Sequence, residues 1–356
     1  MTKFTILFTC TAFAALSPLA AHTPLCKKSQ LPLKNQLAHA IVQNPIPPRL
    51  QWNHNSGYCG EVCMISAGLY YGQYISQYEA RAIATKNAPQ ENGQLLLGIN
   101  DRYAATQMHL NAVSWNSDEE QSTDQFLAWV KQNVVSGHPV AIGVLMNEYR
   151  FYGDTDPDAG DSVYDHIVSV TGIGSSYPPC NTNYHSGDSI YFSDNGLWGS
   201  ASDPQYHFRY QFNSFQADRE QANAENGSIY SLLNCGCNFG IALTGVVDLG
   251  GDTLPVRLDT NLNYEQPEIA DGSNTRPPAM PLVLTITASE LEPGVAYILY
   301  RYNTLESVPD SDFNAHASDA FESWEVKISS GSTYVMTQEI SSDEIAVYRL
   351  VPAAAP

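Results

Sequence analysis

The chain has 356 residues, of which 43% are hydrophobic and 15% charged, the balance of a globular protein with a substantial core and not of a disordered one. Its 17 basic and 37 acidic residues leave a formal charge of −20, which argues against nucleic acid or an anionic membrane as partner, since both need clustered Lys and Arg. The length exceeds one typical domain and fits two.

The opening stretch "MTKFTILFTCTAFAALSPLAAHT" has the pattern of a signal peptide over residues 1–21. Lys3 supplies the positive start, Phe4 to Leu16 the apolar run, and Pro18 to Ala21 a small-residue cleavage region. The run is shorter than the roughly 20 apolar residues that span a bilayer. No later stretch is apolar enough either, so an exported chain, secreted or periplasmic and without a membrane span, is expected. Cleavage removes Cys10 and leaves Cys26, Cys59, Cys63, Cys180, Cys235 and Cys237. In an oxidising compartment these allow disulfide bridges, with the connectivity open and free thiols among the options.

After the Pro-rich lead-in "NPIPPRL" comes "QWNHNSGYCGEVCMISAGLYYG", which predicts a buried helix running to Tyr70 and stopped by Gly72. "SQYEARAIA" starts with Ser76 and places Glu79 three residues later, a capping-box pattern. "TDQFLAWVKQNVVSG" sets Phe126, Trp129, Val130 and Asn133 on one face and ends in Gly137, again a helix. Beyond it, "HPVAIGVLM", "DHIVSVTGI", "SIYFSD" and "NFGIALTGVVD" are β-branched and aromatic runs bounded by turn residues, and predict strands. Helices followed by strands predict an α+β domain over 22–248. Residues 249–281 are rich in Gly, Asp, Asn and Pro and predict a linker, with one strand at "LPVRL". "LVLTITA", "VAYILYRYN", "SWEVKIS", "STYVMTQ" and "EIAVYRLV" predict a small all-β, sandwich-like domain over 282–356.

Two cysteines bear on catalysis. A thiol attacks as thiolate, and the unpaired N–H groups at a helix start favour negative charge there. Cys59 has that position, behind the loop "NSG"; Cys63 lies one turn deeper, where a small buried hydrophobe is the ordinary role. A disulfide partner is the alternative for either. A nucleophile needs a base, and the base an orienting acceptor. His166 opens a predicted strand, and an antiparallel partner ending in "FSDN" would bring Asp194 or Asn195 beside it. Which of these two faces the histidine depends on register.

Cysteine followed by glycine, a helix ending "LYYG", then "HIVSVTGI" and "IYFSD" resemble the papain-like cysteine peptidases that process bacteriocin leaders, and their exported relatives. The resemblance covers roughly residues 45–248 and implies a papain-like fold for this part. It also implies Cys59 as nucleophile, His166 as base and Asp194 as the group that orients it. A Gln upstream of the Cys donates to the oxyanion in that family, and Gln51 is the Gln available, with Asn53 and Asn55 as substitutes. A peptide or protein substrate follows, with hydrolysis or amine transfer through one thioester. The alternative is a catalytically idle scaffold carrying a β-sandwich binding module, in which alternation makes most of Tyr297, Tyr300, Tyr302 and Trp324 core.

No cofactor is implied. One stretch, "DTDPDAGDSVYD", sets Asp154, Asp156, Asp158 and Asp165 at the first, third, fifth and twelfth positions, the oxygen-ligand spacing of a calcium loop. A solvated acidic loop is the alternative reading.

Overall fold

The computed structural model describes residues 40–52, 54–115, 122–195, 207–262 and 272–354. The expected signal peptide, Cys26 and Asn53 lie outside the described residues. The chain runs through strand β1 (Ala40–Gln43), helix α1 (Cys59–Tyr70), strand β2 (Gln73–Tyr74) and helices α2 (Gln77–Ala84) and α3 (Asp101–Gln107). There follow β3 (Leu110–Ser114), α4 (Thr123–Val135), β4 (Val140–Met146), α5 (Glu148–Tyr152), β5 (His166–Ser175) and β6 (Ser189–Ser193). Next come β7 (His207–Gln211), β8 (Gln216–Ala217), α6 (Arg219–Ala222), β9 (Tyr230–Leu233) and β10 (Gly240–Val246). The remainder is β11 (Val256–Thr260), β12 (Pro281–Ala288), β13 (Ala296–Tyr302), β14 (Glu322–Lys327), β15 (Tyr334–Ser341) and β16 (Ala346–Pro352).

The architecture is mixed helix and mostly antiparallel sheet, an α+β arrangement with no closed barrel among the described residues. A large sheet in the order β3-β10-β4-β5-β6-β7 is covered on both faces. On one side α1 packs with Cys63, Ile167 and Ile241; on the other α4 buries Phe126, Leu127, Val130 and Val134 against Val168, Val170 and Phe192. Double coverage explains why "VAIGVLM" is buried throughout and does not alternate. Ser76 caps α2 as the sequence suggests, its Oγ accepting from Glu79 N at 3.1 Å; α4 starts with a full capping box at Ser122 and Gln125 that the sequence reading does not mark. A buried Lys131–Asp188 pair (2.7 Å) ties α4 to the connection before β6, and Asp188 also accepts from Ser175 Oγ at 2.6 Å.

Strands appear at all five C-terminal runs and at "LPVRL", and they form two small sheets, β11-β12-β15 and β14-β13-β16-β2. On β12 the alternation is plain, with Leu282, Leu284, Ile286 and Ala288 buried. Tyr297, Tyr300 and Tyr302 are core residues and Trp324 is half-buried. Two features go beyond what the sequence pattern offers. Gln73–Tyr74, directly after α1, completes the four-stranded sheet by pairing with Ala346 and Val347. One core cluster runs from Cys63 through Ile286 to Val351, and the described residues belong to one compact unit. No described helix is long and apolar enough to cross a membrane.

Candidate active site

The loop before α1 is unusual backbone. Asn55, Ser56 and Gly57 have φ of 50°, 63° and 80°, three successive residues in the left-handed region. Their conformation is held by Arg81, which is fully buried on α2. Its Nη1 donates to Asn55 O and to Gln90 O, both at 2.9 Å, and its Nη2 to Gly57 O. The guanidinium lies 3.5 Å above the Tyr58 ring, and Nε donates to Glu61 Oε1 at 2.7 Å. Glu61 Oε1 also accepts from Leu95 N at 3.0 Å. Between Cys59 and Glu61, Gly60 is required by contact, because a Cβ there would stand 2.1 Å from Leu95 O. "CGE" is therefore a packing unit as much as a chemical one: its glycine admits the 94–97 segment, and its glutamate clamps it.

Cys59 begins α1, is half-buried, and lines a cavity of about 220 Å³ together with Gln94–Leu97, Tyr164, Asp165 and Phe239. Burial pushes its thiol up to about 12, helped by the nearby Glu61 and Cys63, while the main-chain groups of Ile167 and Gly60 pull it down. Cys63 is buried one turn on. Its Sγ donates to Ile167 O at 3.6 Å and accepts from Asn195 Nδ2 at 3.3 Å, and its thiol is pushed up to about 11, chiefly by burial. A sulfur so enclosed has no path to a substrate, which fits the packing role for Cys63. Among the described residues no two cysteines stand at disulfide distance.

β5 and β6 pair antiparallel as expected, with a bulge between Val170 and Gly172. His166 is 2% exposed, stacks on Tyr230 with ring centroids 6.0 Å apart, and sets Nε2 at 2.8 Å from Asp194 O. The partner supplied by Asp194 is thus its main-chain carbonyl; its carboxylate accepts from Tyr230 OH at 3.3 Å. A carbonyl only accepts, so Nε2 carries the proton and Nδ1 keeps the lone pair. Burial pulls the imidazole down to about 4, against the opposing effect of the Asp194 hydrogen bond, so the ring is a neutral base at neutral pH. Asn195, in left-handed backbone (φ 62°), turns its amide to the α1 side and donates to Ile167 O at 2.9 Å and toward Cys59 O at 3.5 Å. Among the described residues no hydrogen bond joins Cys59 to His166.

Gln51 is buried. Its N–H donates to Asn195 O at 3.0 Å, and its Nε2 lies 3.5 Å from where a Cβ on Gly57 would stand. That brings the amide to the loop leading into Cys59. Asn55, a substitute donor by sequence, is engaged elsewhere, accepting from Gly272 N at 2.7 Å and donating to Ser273 O at 3.1 Å. No motif or spacing in the sequence marks Arg81, Glu61 or Tyr230. The acidic loop does not converge: Asp154 caps Asp156 N at 2.9 Å, Asp156 caps Asp158 N at 3.0 Å, and Asp165 pairs with Arg219 and accepts from Met146 N at 2.6 Å. Among the described residues no three His, Cys, Asp or Glu gather as a metal site.

The depressed His166 has a measurable consequence. The unfolded chain takes a proton on this residue near pH 6.5, whereas the folded chain resists until about 4. Its contribution to stability is therefore complete above pH 6.5 and is lost as pH falls toward 4, by about 3 kcal/mol in total at roughly 1.4 kcal/mol per unit. Urea unfolding at pH 7 and pH 4.5 should show this extra acid sensitivity in the wild type and not in His166→Gln; equal sensitivity of the two would contradict it.

No family model matches this chain, and no curated protein or solved structure matches it either.

Proposed function

We propose that this protein is an exported, papain-like cysteine hydrolase acting on a peptide or amide bond, with Cys59 as nucleophile and His166 as base. The observation that carries the reading is a cysteine at the first position of a buried helix, on the wall of a cavity, with a neutral histidine opening the strand that the helix packs on. In the mechanism Cys59 Sγ attacks the substrate carbonyl as His166 Nδ1 takes the thiol proton, and the Gln51 amide with the Cys59 N–H receives the oxyanion. The proton passes to the leaving amine, a thioester remains, and water activated by the same imidazole releases the acid. Asp194 orients the ring through its carbonyl and Asn195 braces the first turn of α1.

A catalytically idle scaffold is the second reading, favoured by the missing Cys59–His166 hydrogen bond and by a thiol held protonated. The two separate when a mixed peptide pool is incubated with the mature chain and cleavage is followed by mass spectrometry. The hydrolase reading expects cleavage by the wild type and none by Cys59→Ala, with identical circular dichroism for both. Cleavage that survives Cys59→Ala removes Cys59 from the chemistry, and no cleavage by either protein leaves the idle scaffold as the better account.

A further inference from the structure

The described cysteines divide by environment. Cys59 is half-buried and Cys63 buried, and burial pushes their thiols up to about 12 and about 11. Cys180, Cys235 and Cys237 are exposed. Exchange with a disulfide needs a thiolate that the reagent can reach, so it falls to the exposed three. Of these, Cys235 and Cys237 stand two apart in the sequence, with Gly236 between them.

The pair sits on the connection between β9 and β10, where the chain turns at 234–236 and Gly236 takes a φ of 80°. Both ends of the turn are pinned. Asn234 N donates to Ala217 O at 3.1 Å, and the buried Asn238 amide donates to Thr123 Oγ1 at 3.0 Å and to Leu233 O at 3.1 Å. Phe239 follows, packed on Tyr164 with ring centroids 5.5 Å apart. The turn is thus a fixed mount for two exposed thiols, and these thiols meet. Cys237 Sγ lies 3.9 Å from Cys235 O, and a hydrogen bond shared with the Cys235 side chain raises the Cys237 thiol.

Two residues apart, the Cα atoms are separated by no more than about 7 Å. A bridge is therefore reached by rotating the two side chains, with the strands left in place. Such a bridge closes a very short loop, so it removes little chain entropy and adds little stability. Exposed and strained disulfides are the ones that exchange readily, whereas structural bridges resist reduction.

We propose that Cys235 and Cys237 form a thiol–disulfide exchange site whose substrate is a low-molecular-weight disulfide, R–S–S–R. One thiolate attacks a sulfur of the external disulfide. A protein–S–S–R bond forms, the external S–S bond breaks, and R–S⁻ leaves and takes up the proton that the cysteine gave. The neighbouring thiolate then attacks the protein sulfur of this mixed disulfide. The Cys235–Cys237 bond forms, and the second R–S⁻ leaves with the second proton. The dithiol loses two electrons and the external disulfide gains them, and an excess of R–SH drives both steps back. Neither Cys59 nor His166 takes part, so the proposal stands apart from the hydrolase reading.

The test uses the mature chain, fully reduced and freed of reductant, incubated with glutathione disulfide at pH 8. Samples are quenched in acid at intervals and mapped by peptide mass spectrometry. In the wild type the peptide that holds both residues should lose two hydrogens and retain no glutathione. In Cys235→Ser and in Cys237→Ser the remaining thiol should hold one glutathione, and that adduct should last at least about tenfold longer than in the wild type, because the intramolecular thiol is missing. A large excess of reduced glutathione should reopen the wild-type ring. A glutathione adduct that persists on the wild-type pair, a bridge from either residue to another cysteine, or no reaction at the pair would overturn the proposal. So would a ring that reduced glutathione leaves closed, since that is a structural bridge.

Discussion

Iodoacetamide is expected to alkylate Cys59 about 10²–10⁴ times more slowly in His166→Ala than in the wild type at pH 7, the range a positioned general base contributes. The reasoning starts from the two environments. Burial raises the Cys59 thiol to about 12 and lowers the His166 imidazole to about 4, so at neutral pH both are uncharged and the thiolate population of Cys59 alone is minute. Reaction then needs proton removal as the sulfur attacks, and His166 Nδ1 is the lone pair left open by the Nε2 bond to Asp194 O. The pH profile carries the same information. The wild-type rate should rise as His166 loses its proton near pH 4 and then stay level through neutrality, whereas a lone thiol would keep rising with pH. The exposed Cys180, Cys235 and Cys237 serve as internal references in the same digest, separated by peptide mass. A Cys59 rate that climbs tenfold per pH unit and is indifferent to His166→Ala would mean that the two residues do not work as a pair.

What the sequence makes legible here, and what it hides, divides along local and long-range lines. Helix α1, the cap at Ser76 and the strands from "HIVSVTGI" to "EIAVYRLV" could be read because their signals are local: a β-branched run, a cap, a glycine stop. The pairing of β5 with β6 could be reasoned as well, and it brings His166 to residue 194. Which atom of residue 194 meets the ring could not be read from the pattern, because the bulge at Val170 and Gly172 and the left-handed backbone of Asn195 decide it. These give the histidine a carbonyl and turn the Asn195 amide toward α1. Glu61 and Arg81 stayed hidden for another reason. They stand 20 residues apart on different helices, and a charged residue in an apolar run looks exposed until the partner is known. The closing of the second small sheet by Gln73–Tyr74 is equally invisible, since two residues carry no periodicity.

Replacing Arg81 by Met should cost about 3–5 kcal/mol of stability, the usual penalty for leaving a buried charge without its counter-ion. Glu61 is 1% exposed, and its side-chain cation partner among the described residues is Arg81. The substitution also strips a donor from Asn55 O, Gly57 O and Gln90 O, so two carbonyls of the left-handed loop lose their tether together with that of Gln90. Such a loop is held by its surroundings and not by its own backbone preference, and Ser56 in particular has no intrinsic reason to sit at φ 63°. Urea unfolding measures the loss, and the paired variant Glu61→Met with Arg81→Met apportions it. If the buried charge dominates, removing both partners should recover a large part of the stability; if the loop tethers dominate, the double variant should stay as weak as Arg81→Met. Either way the thiol should respond, because Glu61 is one of the groups that raise Cys59. In the double variant the Cys59 thiol should titrate below its wild-type value, read as faster alkylation at pH 9. A double variant that matches the wild type in both stability and Cys59 titration would show that the clamp neither holds the loop nor acts on the thiol.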